Sequence, residues 1–154
     1  MKVIFLDIDG VLNTVTDMKG DFQSDYDRFR AYINLDLVKK LNKLIEKTES
    51  KIVISSTWRK LHTQETLQEI LTDCACVGEI IGMTGNTDHA FRGLEIRQWL
   101  QGNKEKYNIT NYIILDDDSD MLLWQANHFF NTDCEFGLTN KIVHKAIRFL
   151  NGEL

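Results

Sequence analysis

Residues 2–10 read KVIFLDIDG and hold the strongest structural signal of the chain. Val3 to Leu6 form an unbroken apolar run, which is typical of a strand covered on both faces of a parallel sheet. Asp7 and Asp9 follow at once, two residues apart in chain that is still extended, and Gly10 then allows the backbone to turn sharply. The segment therefore predicts a buried strand with two carboxylates at its carboxyl end.

Two further apolar runs end in the same way. Lys51 to Ile54 precedes Ser55, and Tyr112 to Leu115 precedes Asp116. Shorter runs predict two more strands, Glu79 to Ile81 and His128 to Asn131. Because ligands of parallel sheets bind outside the carboxyl ends of the strands, three separate pieces of chain bring polar side chains to one predicted site.

Helical patterns separate these strands. Apolar residues recur at helical spacing after the capping residues Asn34 and Thr63, in Leu94 to Leu100, in Met121 to Ala126 and in Val143 to Leu150. Strands that alternate with helices predict an α/β, Rossmann-like fold, with a central parallel sheet, right-handed crossovers and helices on both faces.

Composition limits the function classes. The chain has 154 residues, 43% of them apolar, and a net charge of −5, which favours a single folded domain over residues 1–154. The acidic balance gives no global attraction to nucleic acid or to an anionic membrane, so any polyanion must be bound locally. The apolar runs are far shorter than the about 20 residues of a membrane span. We therefore expect a cytoplasmic protein without a membrane attachment.

A group of carboxylates follows the third long apolar run and consists of Asp116, Asp117, Asp118 and Asp120. Bringing this group beside Asp7 and Asp9 in one cleft is unfavourable unless a hard cation neutralises the charges. Mg²⁺ fits, because it favours a few carboxylates together with water and phosphate. The histidines and the three cysteines lack the spacing that selects a softer metal.

Three motifs carry a resemblance to a known family. DIDGV at residues 7–11, ISS at 54–56 and LDD at 115–117, together with Asp120, resemble the first, second and fourth motifs of the haloacid dehalogenase (HAD) superfamily of aspartyl-phosphate phosphatases. More narrowly, FLDIDGVLN, ISSTWR, RGLEIRQWL, YIILDDDSDM and GLT occur in this order and resemble the branch of Swiss Army Knife RNA repair phosphatases. The resemblance implies a HAD fold in which residues 14–33 form a minimal cap or flap loop.

The resemblance also implies a role for each matching residue. Asp7 would attack phosphorus to give an aspartyl-phosphate, and Asp9 would protonate the leaving alkoxide and then activate water. Mg²⁺ would be held by the Asp7 carboxylate, the Asp9 carbonyl oxygen and Asp116. Asp117 or Asp120 would complete or orient that set of ligands.

Phosphate binding falls to Ser55 and to one cation. Ser55 would donate a hydrogen bond to a phosphoryl oxygen, with Ser56 beside it. The third motif of the superfamily normally supplies a lysine, and the sequence departs from it here. Arg92, at the start of a predicted helix, is the best candidate because a guanidinium can hold phosphate at two points. Lys104 and Lys106 are the alternatives.

Substrate contacts beyond the phosphate are predicted at Gly10, Trp58 and Arg59. An aromatic ring beside a guanidinium suits the base and phosphate of a nucleotide. An equally weighted alternative is that Trp58 packs against the sheet and Arg59 pairs with a carboxylate.

The segment from Thr14 to Arg30 is polar and lacks clean periodicity. It is too short for a lid domain, and an uncapped site tolerates large substrates. Tyr26, Arg28 and Arg30 either line the approach to the site or lie on the plain surface, and His89 is a candidate to approach it.

These features predict a Mg²⁺-dependent phosphomonoesterase that acts on phosphorylated nucleic-acid ends or nucleotides and needs no obligate protein partner. Two alternatives remain open. One is a phosphatase for small metabolites, and the other is a non-catalytic module that binds a divalent ion. The joint presence of Asp7, Asp9, Ser55 and Asp116 favours catalysis over the module, because structure alone requires neither a nucleophile nor an acid there.

Overall fold

The computed structural model describes residues 1–85 and 91–153. In these residues the strands are β1 (Lys2–Leu6), β2 (Lys51–Ile54), β3 (Ile80–Met83), β4 (Asn111–Asp116) and β5 (Phe129–Asn131). They form one parallel sheet in the order β3-β2-β1-β4-β5. The predicted α/β class with a central parallel sheet is confirmed, and the two short strands begin one residue later than predicted.

Helices cover both faces of this sheet. They are α1 (Asp25–Tyr32), α2 (Leu35–Thr48), α3 (Gln64–Asp73), α4 (Arg92–Asn103) and α5 (Asn140–Leu150), with short 3₁₀ helices at Thr57–Lys60 and Leu123–His128. Ile4 and Leu6 of β1 belong to one core with α2, α3 and α5, whereas Val3 and Phe5 belong to a second core with α4. Among the described helices, none has both the length and the apolar character of a membrane span.

The backbone ladder extends one residue beyond the strands and sets the position of the polar groups. The Asp7 N–H donates to the Leu115 carbonyl at 2.9 Å, and the Ser55 N–H donates to the Leu6 carbonyl at 2.8 Å. Asp116, the last residue of β4, is paired in turn through its carbonyl with the Thr132 N–H at 2.9 Å. Asp7, Ser55 and Asp116 therefore lie at the same edge of the sheet.

Helix α1 lies within the polar segment for which the periodicity predicts no helix. Its N-cap is Ser24, whose side chain accepts the Asp27 N–H, and acidic residues in the first turn suit the helix dipole. Phe29 is its buried side chain and packs edge-on against Trp58, with ring centroids 4.5 Å apart. Tyr26 and Tyr32 are only partly buried against the core, so the apolar face of this helix is too short for periodicity to reveal.

Candidate functional site

Three carboxylates meet at the carboxyl edge of the sheet. Asp7, Asp116 and Asp117 each offer an oxygen, and these oxygens all lie within 4.8 Å of one another. We call these three residues the acidic cluster. Asp7 is 6% exposed and Asp116 is fully buried, while Asp117 is partly exposed. The acidic cluster thus contains two buried carboxyl groups, Asp7 and Asp116, and a third, Asp117, that solvent reaches.

Burial and mutual repulsion make ionisation of this cluster unfavourable. Burial raises the pKa of Asp7 to about 6, although the positive charge of Arg92 opposes the shift. Burial, followed by the negative charge of Asp7, raises the pKa of Asp116 to about 8. The pKa of Asp117 is also raised, first by burial and then by Asp118. A bound cation would reverse these shifts by favouring the ionised forms.

The donor set of the cluster fits a hard divalent cation. All three ligands are carboxylates, which Mg²⁺ prefers, and the Oδ2 atom of Asp116 is buried without a hydrogen-bond partner among the described residues. The Nε atom of Arg92, 3.4 Å away, is the charged neighbour of this oxygen, and a buried oxygen that accepts no hydrogen bond is expected where a ligand completes the site. Asp9 is not a member of the cluster, so a metal contact from Asp9 rests on its carbonyl oxygen.

Arg92 reaches the acidic cluster from the first turn of α4. Its Nε atom lies 3.4 Å from the Oδ2 atom of Asp116, and its Nη1 atom donates to the Ser55 carbonyl. The carboxylate of Asp120 accepts the Arg92 backbone N–H at 2.9 Å and so anchors the start of the helix. Lys104 is the C-cap of α4, about 18 Å along the axis from Arg92, and Lys106 lies beyond it. Of the three candidate cations Arg92, Lys104 and Lys106, the fold therefore brings Arg92 to this edge.

The residues around Ser55 leave a hydrogen-bond donor for a ligand. The Ser55 hydroxyl is buried and has no partner in the described parts of the chain. Ser56 is also buried, and its hydroxyl accepts the Trp58 N–H at 3.4 Å, at the start of the 3₁₀ helix. Ser56 thus shapes the turn that follows Ser55.

Gly10 allows the first motif to approach Asp117. Its φ of +75° lies in the left-handed region, and a Cβ atom here would lie 2.4 Å from the Cγ atom of Asp117. A larger residue at position 10 would displace a member of the acidic cluster.

The carboxylate of Asp9 is held by two side chains. Its Oδ1 atom accepts a hydrogen bond from Asn13 Nδ2 at 2.9 Å, and its Oδ2 atom accepts one from Trp58 Nε1 at 3.0 Å. Asp9 itself stays partly exposed. Its orientation is thereby set independently of the acidic cluster.

The surroundings of Trp58 and Arg59 fit the packing alternative, in which neither side chain contacts substrate. Trp58 is 2% exposed. Arg59 pairs with Glu95 at 2.7 Å, and the two side chains are 5% and 6% exposed. Because both residues are enclosed by protein contacts, they present almost no surface to a ligand.

The predicted approach residues are engaged with carboxylates of α1 and α3. Tyr26 donates its hydroxyl to Asp73 at 2.7 Å, and Arg30 lies 3.8 Å from the same carboxylate. Arg28 pairs with Asp25 at 2.8 Å within α1. These contacts fit the alternative that the three residues lie on the plain surface. His89, the other candidate, lies outside the described residues.

Several supporting residues were not predicted. Asn131 Nδ2 donates to the carbonyls of Asp116 at 3.1 Å and of Asp117 at 3.0 Å, and the Thr132 hydroxyl donates to the Gly10 carbonyl at 2.7 Å. Asn131 is the last residue of β5 and Thr132 follows it, and this position at the carboxyl end of a strand was the available signal. Asn13 stands within the segment FLDIDGVLN, yet nothing in the sequence indicates that it bonds to Asp9.

Comparison with known proteins gives one finding about the whole chain. A family model described as the HAD domain in Swiss Army Knife RNA repair proteins matches residues 3–143. That range includes the motif segments at residues 7–11, 54–56 and 115–117. No curated protein and no solved structure matches the chain.

Proposed function

Because the chain belongs to the family of HAD domains in Swiss Army Knife RNA repair proteins, we propose that it is a Mg²⁺-dependent phosphomonoesterase that works through an aspartyl-phosphate. Membership confirms the superfamily and the branch that the motifs predicted, and it supports a phosphatase-type hydrolase. One observation carries the proposal. The acidic cluster contains a candidate nucleophile, Asp7, beside Arg92 and beside a buried Ser55 hydroxyl that lacks a partner in the described chain.

The proposed reaction has two steps. A carboxylate oxygen of Asp7 bonds to phosphorus while the bond from phosphorus to the ester oxygen breaks, and the Asp9 carboxyl gives its proton to that oxygen. An alcohol departs. Water then bonds to phosphorus and passes a proton to Asp9, and the bond between phosphorus and Asp7 breaks. Phosphate is released and both aspartates return to their starting forms.

Phosphoryl binding uses three kinds of positive or polar group. Asp7, Asp116, Asp117 and the Asp9 carbonyl oxygen would hold Mg²⁺, which would supply charge that offsets the negative phosphoryl oxygens. Ser55 donates its hydroxyl to one of these oxygens, and the guanidinium of Arg92 contributes charge from the start of α4. Asp120 acts indirectly, because it holds the Arg92 backbone. Gly10 keeps the backbone close to Asp117.

The proposed substrate is a phosphorylated nucleic-acid end or a nucleotide. The name of the family, which refers to RNA repair proteins, supports this choice. So does the small size of residues 14–33, in which the single helix α1 has eight residues and packs toward Trp58 and Asp73. A site beside so small an insertion leaves room for a polymer end.

We expect phosphate release from end-phosphorylated RNA or DNA oligonucleotides. The test is a panel of 3′- and 5′-phosphorylated oligonucleotides, mononucleotides and sugar phosphates, assayed for inorganic phosphate with and without Mg²⁺. Turnover of small phosphates alone would move the assignment to a metabolite phosphatase. If no member of the panel released phosphate while Mg²⁺ still bound, the non-catalytic module would be favoured.

We also expect Mg²⁺ to stabilise the protein more at about pH 8 than at about pH 5. With the pKa of Asp7 raised to about 6 and that of Asp116 to about 8, the metal-free folded chain holds more protons than the unfolded chain between about pH 4 and pH 8. Its stability therefore falls as pH rises through this window, because ionisation is penalised in the fold. Mg²⁺ offsets the penalty but must displace the protons.

Thermal melts at both pH values, with Na⁺ at matched ionic strength as the control, measure this effect. At one fixed Mg²⁺ concentration, about thirtyfold the Kd at pH 8, binding contributes about 2 kcal/mol at that pH, or a rise in Tm of about 4–8 °C, and less at pH 5. Asp116→Asn should remove most of that rise. An equal rise at both pH values, or a full rise in Asp116→Asn, would contradict the assignment of the acidic cluster to the metal.

A further inference from the structure

We infer that Trp58 and Asn13 are positioning residues, which hold the carboxyl group of Asp9 in the orientation that delivers its proton to the leaving group. The inference rests on the proposed function, because it assigns a task to residues that act through the proposed acid. It gives Trp58 a role that differs from contact with substrate.

The two hydrogen bonds reach Asp9 from different parts of the fold. Asn13 lies four residues further along the loop that follows β1, and its amide binds one carboxylate oxygen. Trp58 lies in the 3₁₀ helix after β2, and its indole binds the other oxygen. A carboxyl group that is bonded at both oxygens cannot rotate about its terminal torsion, which is otherwise broad and soft.

Both donors are themselves fixed. Trp58 packs edge-on against Phe29 of α1, and its backbone N–H is accepted by Ser56. Asn13 is fully buried, and its side-chain oxygen Oδ1 accepts the Gly10 N–H at 3.0 Å. The rotamers of both residues are therefore determined by packing and by further hydrogen bonds, as a preorganised site requires.

The chemistry of the donors suits this task. An indole N–H only donates, and the amide nitrogen of Asn13 likewise donates, so neither can take the proton of Asp9. Each carboxyl oxygen has a second lone pair, which leaves a place for the proton that is transferred. Asp9 is partly exposed, so these two donors do not close it off from a substrate.

Esters with good and poor leaving groups separate positioning of the acid from general structural support. The value of kcat/KM covers the steps up to departure of the leaving group. An alkoxide needs a proton at that step, whereas p-nitrophenolate departs without one. A misplaced acid therefore slows the hydrolysis of alkyl phosphates selectively, because general acid catalysis contributes about 10²- to 10⁴-fold to the rate.

The decisive variant is Trp58→Phe, which removes the indole N–H and keeps an aromatic ring against Phe29. We expect kcat/KM for the best alkyl phosphate of the substrate panel to fall about tenfold or more. For p-nitrophenyl phosphate we expect a change of about twofold or less. Trp99→Phe is the matched control, because Trp99 is 9% exposed and packs on Phe5 and Tyr107 away from Asp9. Trp99→Phe should change kcat/KM for both esters by about twofold or less.

A double-mutant cycle tests whether Trp58 acts through Asp9. In an Asp9→Asn background, Trp58→Phe should cause no further loss on the alkyl ester, because the acid is already absent. A full additional loss would overturn the inference. Melting curves of each variant show whether it is folded.

Asn13→Ser provides a second test if Trp58→Phe does not fold. It shortens the donor to the other oxygen and should give the same selective loss on the alkyl ester. Equal losses on both esters in these variants would assign the two residues to packing alone and overturn the inference, while the proposed function would stand. A wild-type protein that hydrolyses neither ester would overturn the proposed function and the inference together.

Discussion

Asp7→Asn is expected to lower phosphate release by about a thousandfold or more, while the protein remains folded. The amide cannot form the aspartyl-phosphate, and binding by Arg92 and Ser55 does not replace a covalent step. In the metal-free protein, the change also removes a buried carboxyl group whose pKa burial raises to about 6. The free energy of unfolding at about pH 8 should therefore stay equal or rise.

Asp118→Asn is the matched control for this variant. Asp118 follows the acidic cluster in the chain, is exposed and is not a member of it. Its replacement should leave phosphate release within about twofold of the wild type. Phosphate release and thermal melts are measured on all three proteins. Retention of activity by Asp7→Asn would remove the aspartyl-phosphate from the mechanism.

Arg92→Met is expected to cause the second large loss, in activity and in stability together. It keeps a side chain of similar length and removes the charge near Asp116, which is fully buried. We expect kcat/KM to fall about a hundredfold or more, as on removal of other groups that stabilise transition-state charge. At about pH 8 and above, where Asp116 ionises, loss of one partner from this buried pair costs about 3 kcal/mol, and added Mg²⁺ should restore part of it.

Two further variants define what Arg92 supplies. Arg92→Lys retains the charge but not the second donor, so its activity should lie between the wild type and Arg92→Met. Arg97→Met is the control, because Arg97 is exposed on the same helix and stacks on Trp124. If Arg97→Met lost as much activity as Arg92→Met, the charge of the helix rather than the position of Arg92 would be responsible.

The sheet and its polar edge could be predicted because both depend on local sequence. A strand covered on both faces needs an unbroken apolar run, and the polar residue that follows is forced to the carboxyl edge. Asp7, Ser55 and Asp116 all satisfy this rule. Arg92 could be predicted less directly. The sequence indicates that it lies at the start of a helix, but not that its side chain points toward the acidic cluster.

The rest of the site depends on packing between distant segments. Trp58 and Arg59 stand side by side in a sequence that suits nucleotide binding, yet α1 covers the first and Glu95 pairs with the second. Glu95 lies in a helix that gives no sign of a buried carboxylate. No local pattern encodes a contact across 36 residues, so the sequence could not distinguish the two interpretations.

The order of strands in the sheet has a consequence for the time at which the site forms during synthesis. β1 is translated first and lies at the centre of the sheet, while its neighbour β4 is translated about a hundred residues later. Until then Asp7 lacks both the Leu115 carbonyl and the other two carboxylates of the acidic cluster, Asp116 and Asp117. A nascent chain that ends before β4 therefore lacks the acidic cluster, and metal binding at that cluster reports the completion of the central strands.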